Sequence, residues 1–474
     1  MELISFSFLF FVLIGVIVYY SIPKKVQYLW LLFLGIFFYA MNARAIPIFL
    51  IAGVISSYLY SRWLRNKIGL IIVTLFNVLL LFASKFYVSS SIARESSGLL
   101  NSSLLVNLGI SFYTLQIIAY CVDVYKKKYE PEQNILKFIL YITYFPQILQ
   151  GPIPRFERLH NQFFKPHKFQ YKQFVFGFEL VLFGLFQKMV IADRAAIVVN
   201  RLFGEYESYK GLYVLVAGVL YSIQLYADFS GCVCIAKGVS QMFDIQIEDN
   251  FDHPYFSISI KDFWRRWHRS FSDWLKNYIY IPLGGNRQGK IRKYVNVLVT
   301  FLVSGVWHGM GLHYVAWGLL HGLYQILGEI FQPVRDFLVT KGKLDRNSFS
   351  HKLFKQAVTY FLVVIAWIFF RADSVRIALK MIRNLFVTFN PQIFLTDELY
   401  MLGLNAKEFQ FLVVSIFMFW GISYLQTKIK IREFVYKQHL LFRFSILYIV
   451  IFMILIFGIY GPGYDVAQFI YGAF

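Results

Sequence analysis

The sequence predicts an all-α, multi-pass membrane protein, and three observations carry that prediction. Of its 474 residues 58% are hydrophobic and 15% charged, against about 25% charged in an ordinary soluble domain. The apolar residues are gathered into blocks of roughly membrane-spanning length instead of being scattered. The 47 Lys and Arg, against 26 Asp and Glu, fall mainly between those blocks. With a mean hydropathy of +0.55, a soluble fold would lack the polar surface to cover its core.

The blocks run over residues 4–20, 26–41, 46–61, 68–83, 104–124, 173–192, 211–228, 312–331, 357–371, 409–427 and 443–462. About a dozen membrane segments are expected from a span of about 20 residues, the shorter blocks tilting or stopping halfway. The first block opens with Glu2 instead of a basic region and shows no small-residue cleavage site before Pro23, so it reads as a retained span. One membrane domain covers 1–474: N-terminal spans over 1–125, a central region over 126–331 and C-terminal spans over 332–474.

Charge orients the spans. Lys24, Lys25, Arg62, Arg65, Lys67 and Lys126–Lys128 follow the odd-numbered early blocks, while the alternate loops hold only Arg44, Lys85 and Arg94. By the positive-inside rule the N-terminus lies outside the cytoplasm. The same asymmetry accounts for the pI of 9.6 without a nucleic-acid partner, for which no motif is present. Cys121, Cys232 and Cys234 lack zinc-site spacing and read as packing residues.

Past residue 125 the pattern changes. Tyr144-Phe145-Pro146-Gln147 and Gly151-Pro152-Ile153-Pro154-Arg155 break any through-going helix, and a re-entrant or interfacial excursion is expected over 129–172. Further on, Trp264, Trp267, Phe271, Trp274 and Tyr278 recur at spacings of 3, 4, 3 and 4, one stripe of a helix. Lys261, Asp262, Arg265, Arg266, Arg269, Asp273 and Lys276 fill its other face, which predicts a continuous helix lying flat among lipid headgroups. His268 falls at the border of the two faces. Ile281-Pro282-Leu283-Gly284-Gly285-Asn286-Arg287 ends the helix, and residues 341–356 read as a solvated loop.

His308 is the residue most in need of explanation. It sits in Leu302-Val303-Ser304-Gly305-Val306-Trp307-His308-Gly309, where an ionisable ring is costly and therefore a functional candidate. Imidazole exchanges a proton near neutral pH, as a general base must; a structural, hydrogen-bonded histidine is the competing reading. His313 and His321 flank a span end. Arg265 and Arg266 suit lipid headgroups or an anionic substrate, and Asp228 suits a helix cap or a basic partner. No H-E-x-x-H, G-x-S-x-G or phosphate-binding glycine-lysine loop is present, and His308 and His313 are not spaced as metal ligands. The lack of internal repeats argues against a transporter or scramblase.

Phe263-Trp264-Arg265-Arg266-Trp267-His268, Tyr280-Ile281-Pro282-Leu283-Gly284-Gly285-Asn286-Arg287 and Ser304-Gly305-Val306-Trp307-His308-Gly309 together resemble the signature of the membrane-bound O-acyltransferase family. Gly109–Gln116, Phe145-Pro146-Gln147 with Gly151-Pro152-Ile153, and Trp367-Ile368-Phe369-Phe370-Arg371-Ala372 resemble its bacterial alginate O-acetyltransferase branch. The resemblance implies a ring of about 11–13 tilted and re-entrant helices around a central funnel, with His308 in the place of the catalytic histidine and His268 in that of the second polar site residue. Asp228, Arg265, Arg266, Asn286, Ser304, Trp307 and His321 are the supporting candidates. One departure is plain: Asp228-Phe229-Ser230-Gly231-Cys232-Val233-Cys234 stands where branch members carry a second acid at the last position.

The implied chemistry is acyl transfer from a cytoplasmic thioester, acetyl-CoA or a relative, to a hydroxyl of an extracellular or periplasmic polysaccharide. No metal or resident cofactor is expected. The expected setting is the bacterial cytoplasmic membrane, with an extracytoplasmic acetyltransferase or polysaccharide machinery as partner. A teichoic acid D-alanyl transferase using a carrier-protein thioester is the alternative. Replacing Lys126–Lys128 by glutamine should disturb the orientation of the early spans in reporter fusions; unchanged orientation would count against the charge-based topology.

Overall fold

The computed structural model describes residues 3–42, 47–95, 109–148 and 151–460, without the side chains of 87–95. All the regular secondary structure of the described residues is helical, with no strand among them. Arg44 and the start of the block at 104–124 lie outside them.

The chain forms two compact units. The first takes the described residues up to 185 together with 232–249, and the second takes 186–231 and 250–460. In the first unit the early apolar blocks become α1 (Phe6–Ser21), α2 (Gln27–Asn42), α3 (Ile48–Trp63), α4 (Lys67–Glu95) and α5 (Ile110–Tyr125). Lys85 and Arg94 lie within α4, not in a loop as the block boundaries suggested, because the helix continues through polar residues to Glu95. Among its described residues the proline-rich excursion holds two short helices, α6 (Ile135–Thr143) and α7 (Phe156–Phe163). Its side chains Tyr144, Phe145 and Gln147 are buried.

The block at 173–192 is part of a longer run. α8 (Tyr171–Leu185) passes through a π-helical stretch, Phe186–Ala192, into α9 (Asp193–Gly204). The block at 211–228 likewise extends, as α10 (Leu212–Met242), since Cys232, Val233 and Cys234 continue its apolar surface.

The second unit continues with α11 (Ile260–Arg266), α12 (Arg269–Leu275), α13 (Gly289–His308), α14 (Leu312–Ile330), α15 (Gln332–Lys341), α16 (Phe349–Arg371) and α17 (Val375–Val387). α18 (Ala406–Gln426), α19 (Ile431–Tyr436) and α20 (Leu440–Phe457) complete it. The predicted loop at 341–356 is shorter than its polarity suggested: Ser348 caps α16 by accepting from the His351 N–H, so the helix starts at Phe349. Among the described residues six helical segments are long and apolar enough to cross a membrane, and α1 and α5 are shorter apolar helices. The protein is thus a multi-pass helical membrane protein.

Close backbone approach holds the hairpin that carries His308. A β-carbon at Gly305 would lie 2.4 Å from the Tyr314 carbonyl oxygen, and one at Gly318 2.3 Å from that of Phe301. Between apolar helices in a lipid environment, such small-residue contacts supply the packing that the hydrophobic effect does not.

Charge inside this unit is compensated. At the π-helical stretch Lys188 Nζ lies 2.7 Å from Asp228 Oδ1 and 2.8 Å from Asp193 Oδ1. All three side chains are buried. π-helical turns add a residue to the helical register, and this one places Lys188 between two carboxylates. Lys188→Met should leave both carboxylates without their shared cation and cost about 3–5 kcal/mol. Asp228→Asn, which leaves Asp193 on the lysine, should cost less. Unfolding in detergent tests this ordering, and equal losses would refute the shared-cation arrangement.

Candidate active site

The site is assembled by α11–α14 and α16 with one residue pair of α10. Before α13, the turn at Ile281–Arg287 is held by Asn296, whose Nδ2 donates to the carbonyls of Leu283 (3.1 Å) and Gly285 (2.9 Å). His308 is the last residue of α13 and is 2% exposed. Aromatic rings wall it in: centroids of Trp307, Trp317, Phe370 and Phe271 stand 4.8, 5.0, 5.1 and 5.8 Å from its own.

The aromatic stripe at 264–278 is not one flat helix. Trp267 is extended and His268 adopts a left-handed conformation, φ 43°, which separates α11 from α12. A non-glycine residue there is uncommon and needs support from its surroundings. Asn250 supplies it. Its Oδ1 accepts from the Ser270 N–H (3.0 Å) and Ser270 Oγ (2.8 Å), and its backbone oxygen accepts from Arg269 N–H (2.9 Å). The same Oδ1 stands 3.3 Å from His268 Nδ1. Because an amide oxygen only accepts, Nδ1 carries the proton and Nε2 the lone pair. The break turns Trp264, Trp267, Phe271 and Trp274 into protein interior instead of lipid headgroups; Lys261, Arg265, Arg269, Asp273 and Lys276 stay exposed.

His268 and His308 share two neighbours. Phe271 lies 5.0 Å from the first and 5.8 Å from the second, and Trp307 6.4 and 4.8 Å. Phe229, next to Asp228 on α10, packs edge-on against His268 at 4.8 Å. The two predicted imidazoles therefore occupy one aromatic shell.

The matching family model is that of the membrane-bound O-acyltransferases, over residues 132–372. The chain belongs to that family. Among its relatives in this O-acyltransferase family, a peptidoglycan O-acetyltransferase of Helicobacter pylori is 32% identical over 75% of this chain and 73% of the relative. A probable alginate O-acetylase of Pseudomonas syringae is 35% identical over 63% of this chain and 56% of its own length. A teichoic acid D-alanyltransferase of Bacillus subtilis is 30% identical, covering 69% and 88%. The chain thus spans little more than half of the alginate relative. Its enzyme class is O-acyltransferase, on the bacterial acetyltransferase side of the family.

The supporting candidates of this acyltransferase divide. Ser304, one helical turn before His308, is buried, as is Trp307. His321 accepts from Trp264 Nε1 (3.2 Å) and packs against Trp317, 5.3 Å away, whose other neighbour is His308. Asp228 is occupied by Lys188. Arg266 pairs with Asp262 at 3.1 Å on α11, Arg265 faces outward, and Asn286 is exposed in its turn, outside the aromatic shell. Sequence reasoning missed Asn250 and Asn296, since a lone asparagine far along the chain carries no periodic signal. It also missed Lys188, although a lysine inside an apolar run is a detectable anomaly.

Burial drives the His268 imidazole from 6.5 down to about 3. The unfolded chain therefore binds a proton below pH 6.5 that the folded chain refuses, so stability is full above that pH and is lost as pH falls. His268→Asn should flatten the fall in unfolding temperature below pH 6.5, followed in detergent by tryptophan fluorescence. A variant with the wild-type pH slope would contradict a buried neutral ring.

Proposed function

We propose that this enzyme moves an acetyl group from a cytoplasmic thioester, acetyl-CoA or a relative, to a hydroxyl of a cell-envelope or extracellular polysaccharide. Its setting is the bacterial cytoplasmic membrane, and transfer runs directly or through an extracytoplasmic partner protein. The observation that carries the reading is the pairing of His308 and His268 through Phe271 and Trp307.

In this reading His308 takes the proton of the attacking hydroxyl. The hydroxyl oxygen bonds to the thioester carbonyl carbon, a tetrahedral oxyanion forms, the carbon–sulfur bond breaks, and the leaving thiolate takes up the proton held by His308. Polar donors near that carbonyl are needed to hold the oxyanion. His268, with its lone pair at Nε2, accepts from a neighbouring hydroxyl of the acceptor and so orients it, instead of donating to the oxyanion. The wall of aromatic rings excludes water, which strengthens each polar contact inside.

The Bacillus relative supports a second reading, D-alanyl transfer from a carrier-protein thioester. Supplying purified protein in liposomes with each donor separately tells the two apart. In either case His308→Ala should lower transfer by about 10²–10⁴-fold, the range of a lost general base, with the folded protein recovered in normal amount. Acylation of the envelope polymer at the wild-type level would overturn the role of His308.

A further inference from the structure

A second polar site lies one residue beyond the aromatic shell. Phe370 walls His308, and the next residue, Arg371, ends α16 and lines a cavity of about 150 Å3 with Asn200, Phe203, Gly204, Asp373 and Ile377. Its guanidinium is already oriented: Nη2 donates to Asn200 Oδ1 at 2.9 Å, and Cζ lies 5.4 Å over the Phe203 ring. Among the described residues its hydrogen-bond partner is a neutral amide, and no carboxylate forms an ion pair with it. The guanidinium lines the cavity, and such a group matches carboxylate and phosphate oxygens two at a time. Asp373 and Asn200 add groups that suit hydroxyls, and Phe203 offers an apolar floor. The volume is below the roughly 300–1,000 Å3 of drug-sized sites and suits a single sugar unit or charged group.

The cavity's side of the membrane follows from contacts within this unit. Lys380 pairs with Glu207, Asn390 Oδ1 accepts from the Leu212 N–H, and Tyr213 donates to Glu398, so 200–213 and 371–398 form one end. The other end joins the start of α16 to the end of α18. Gln356 donates to the Phe256 carbonyl, and Phe256 packs against Tyr424. That end is the more basic of the two: it carries nine basic residues, Lys341, Lys343, Arg346, Lys352, Lys355, Lys428, Lys430, Arg432 and Lys437, against six, Arg201, Lys210, Arg371, Arg376, Lys380 and Arg383, at the first. Basic loops mark the cytoplasmic side, which puts Arg371 on the opposite face, where an acceptor arrives.

We propose that the Arg371 cavity is an acceptor subsite that binds the oxyanion, carboxylate or phosphate, of a hydroxyl-bearing saccharide. The assignment of the bound molecule as acceptor rests on the acyl-transfer reading; the binding itself does not. The test uses the full-length protein in phosphate-free detergent and saturation-transfer difference NMR with D-glucuronate, glycerol 1-phosphate and D-glucose. At least one anion should give a signal several-fold above glucose, and the stronger of the two identifies carboxylate or phosphate as the source. Arg371→Gln should reduce it to the glucose level. His308→Ala should leave it intact while transfer is lost, which separates failure of the subsite from failure of the acyl-transfer reading. If Arg371→Gln does not fold, Asn200→Ala serves instead, with an expected two- to five-fold weaker signal. Equal signals from all three ligands, or an anion signal unchanged by the substitution, would overturn the proposal. So would loss of the signal in phosphatidylglycerol nanodiscs, which would assign the guanidinium to a lipid headgroup.

Discussion

The contact between the backbones of α13 and α14 is the constraint on which the site depends. Any side chain at Gly305 or Gly318 would run into a carbonyl oxygen of the facing helix. Because the two helices touch, Trp317 of α14 reaches the ring of His308 at the end of α13, and His321, one turn on, reaches Trp264. Spread the hairpin by a methyl group and the aromatic shell opens. Gly305, three residues before the histidine, is thus as much a part of the site as the histidine.

Three polar side chains of this interior follow one rule. Where water is excluded, a charge or amide persists only beside a partner. Lys188 has two aspartates; Asn250 takes up two donors of the chain reversal at His268; Asn296 secures two carbonyls of the turn before α13. Each accompanies a break in regular helix, and the break at His268 brings that ring into the aromatic shell around His308. The irregular backbone at His268 is the clearest case, since a continuous helix would carry that ring around with the stripe instead of setting it against Phe229 and Phe271.

Much of this was legible before any coordinates. Apolar blocks marked most of the long helices because burial in lipid imposes length and composition. His308 stood out because an imidazole in an apolar run has no other economy, and the motifs around it identified the family. Helix ends were less legible: α4 and α10 outran their apolar blocks, since helical hydrogen bonding continues through polar residues once started. The stripe at 264–278 misled for a physical reason. Its 3–4 spacing satisfies one helix or two, and the residue that splits it, Asn250, lies 18 positions upstream of His268. Long-range capture of this kind leaves no local periodicity to read.

The enclosure of His308 has a chemical consequence of its own. A thioester is an energy-rich bond, and the commonest competitor for its acyl group is solvent. In the proposed transfer His308 is the base, and at 2% exposed it meets solvent rarely, so the rings around it deny hydrolysis its activated nucleophile. Fidelity in that proposed reaction comes from enclosure, which spares the activated ester for the alcohol.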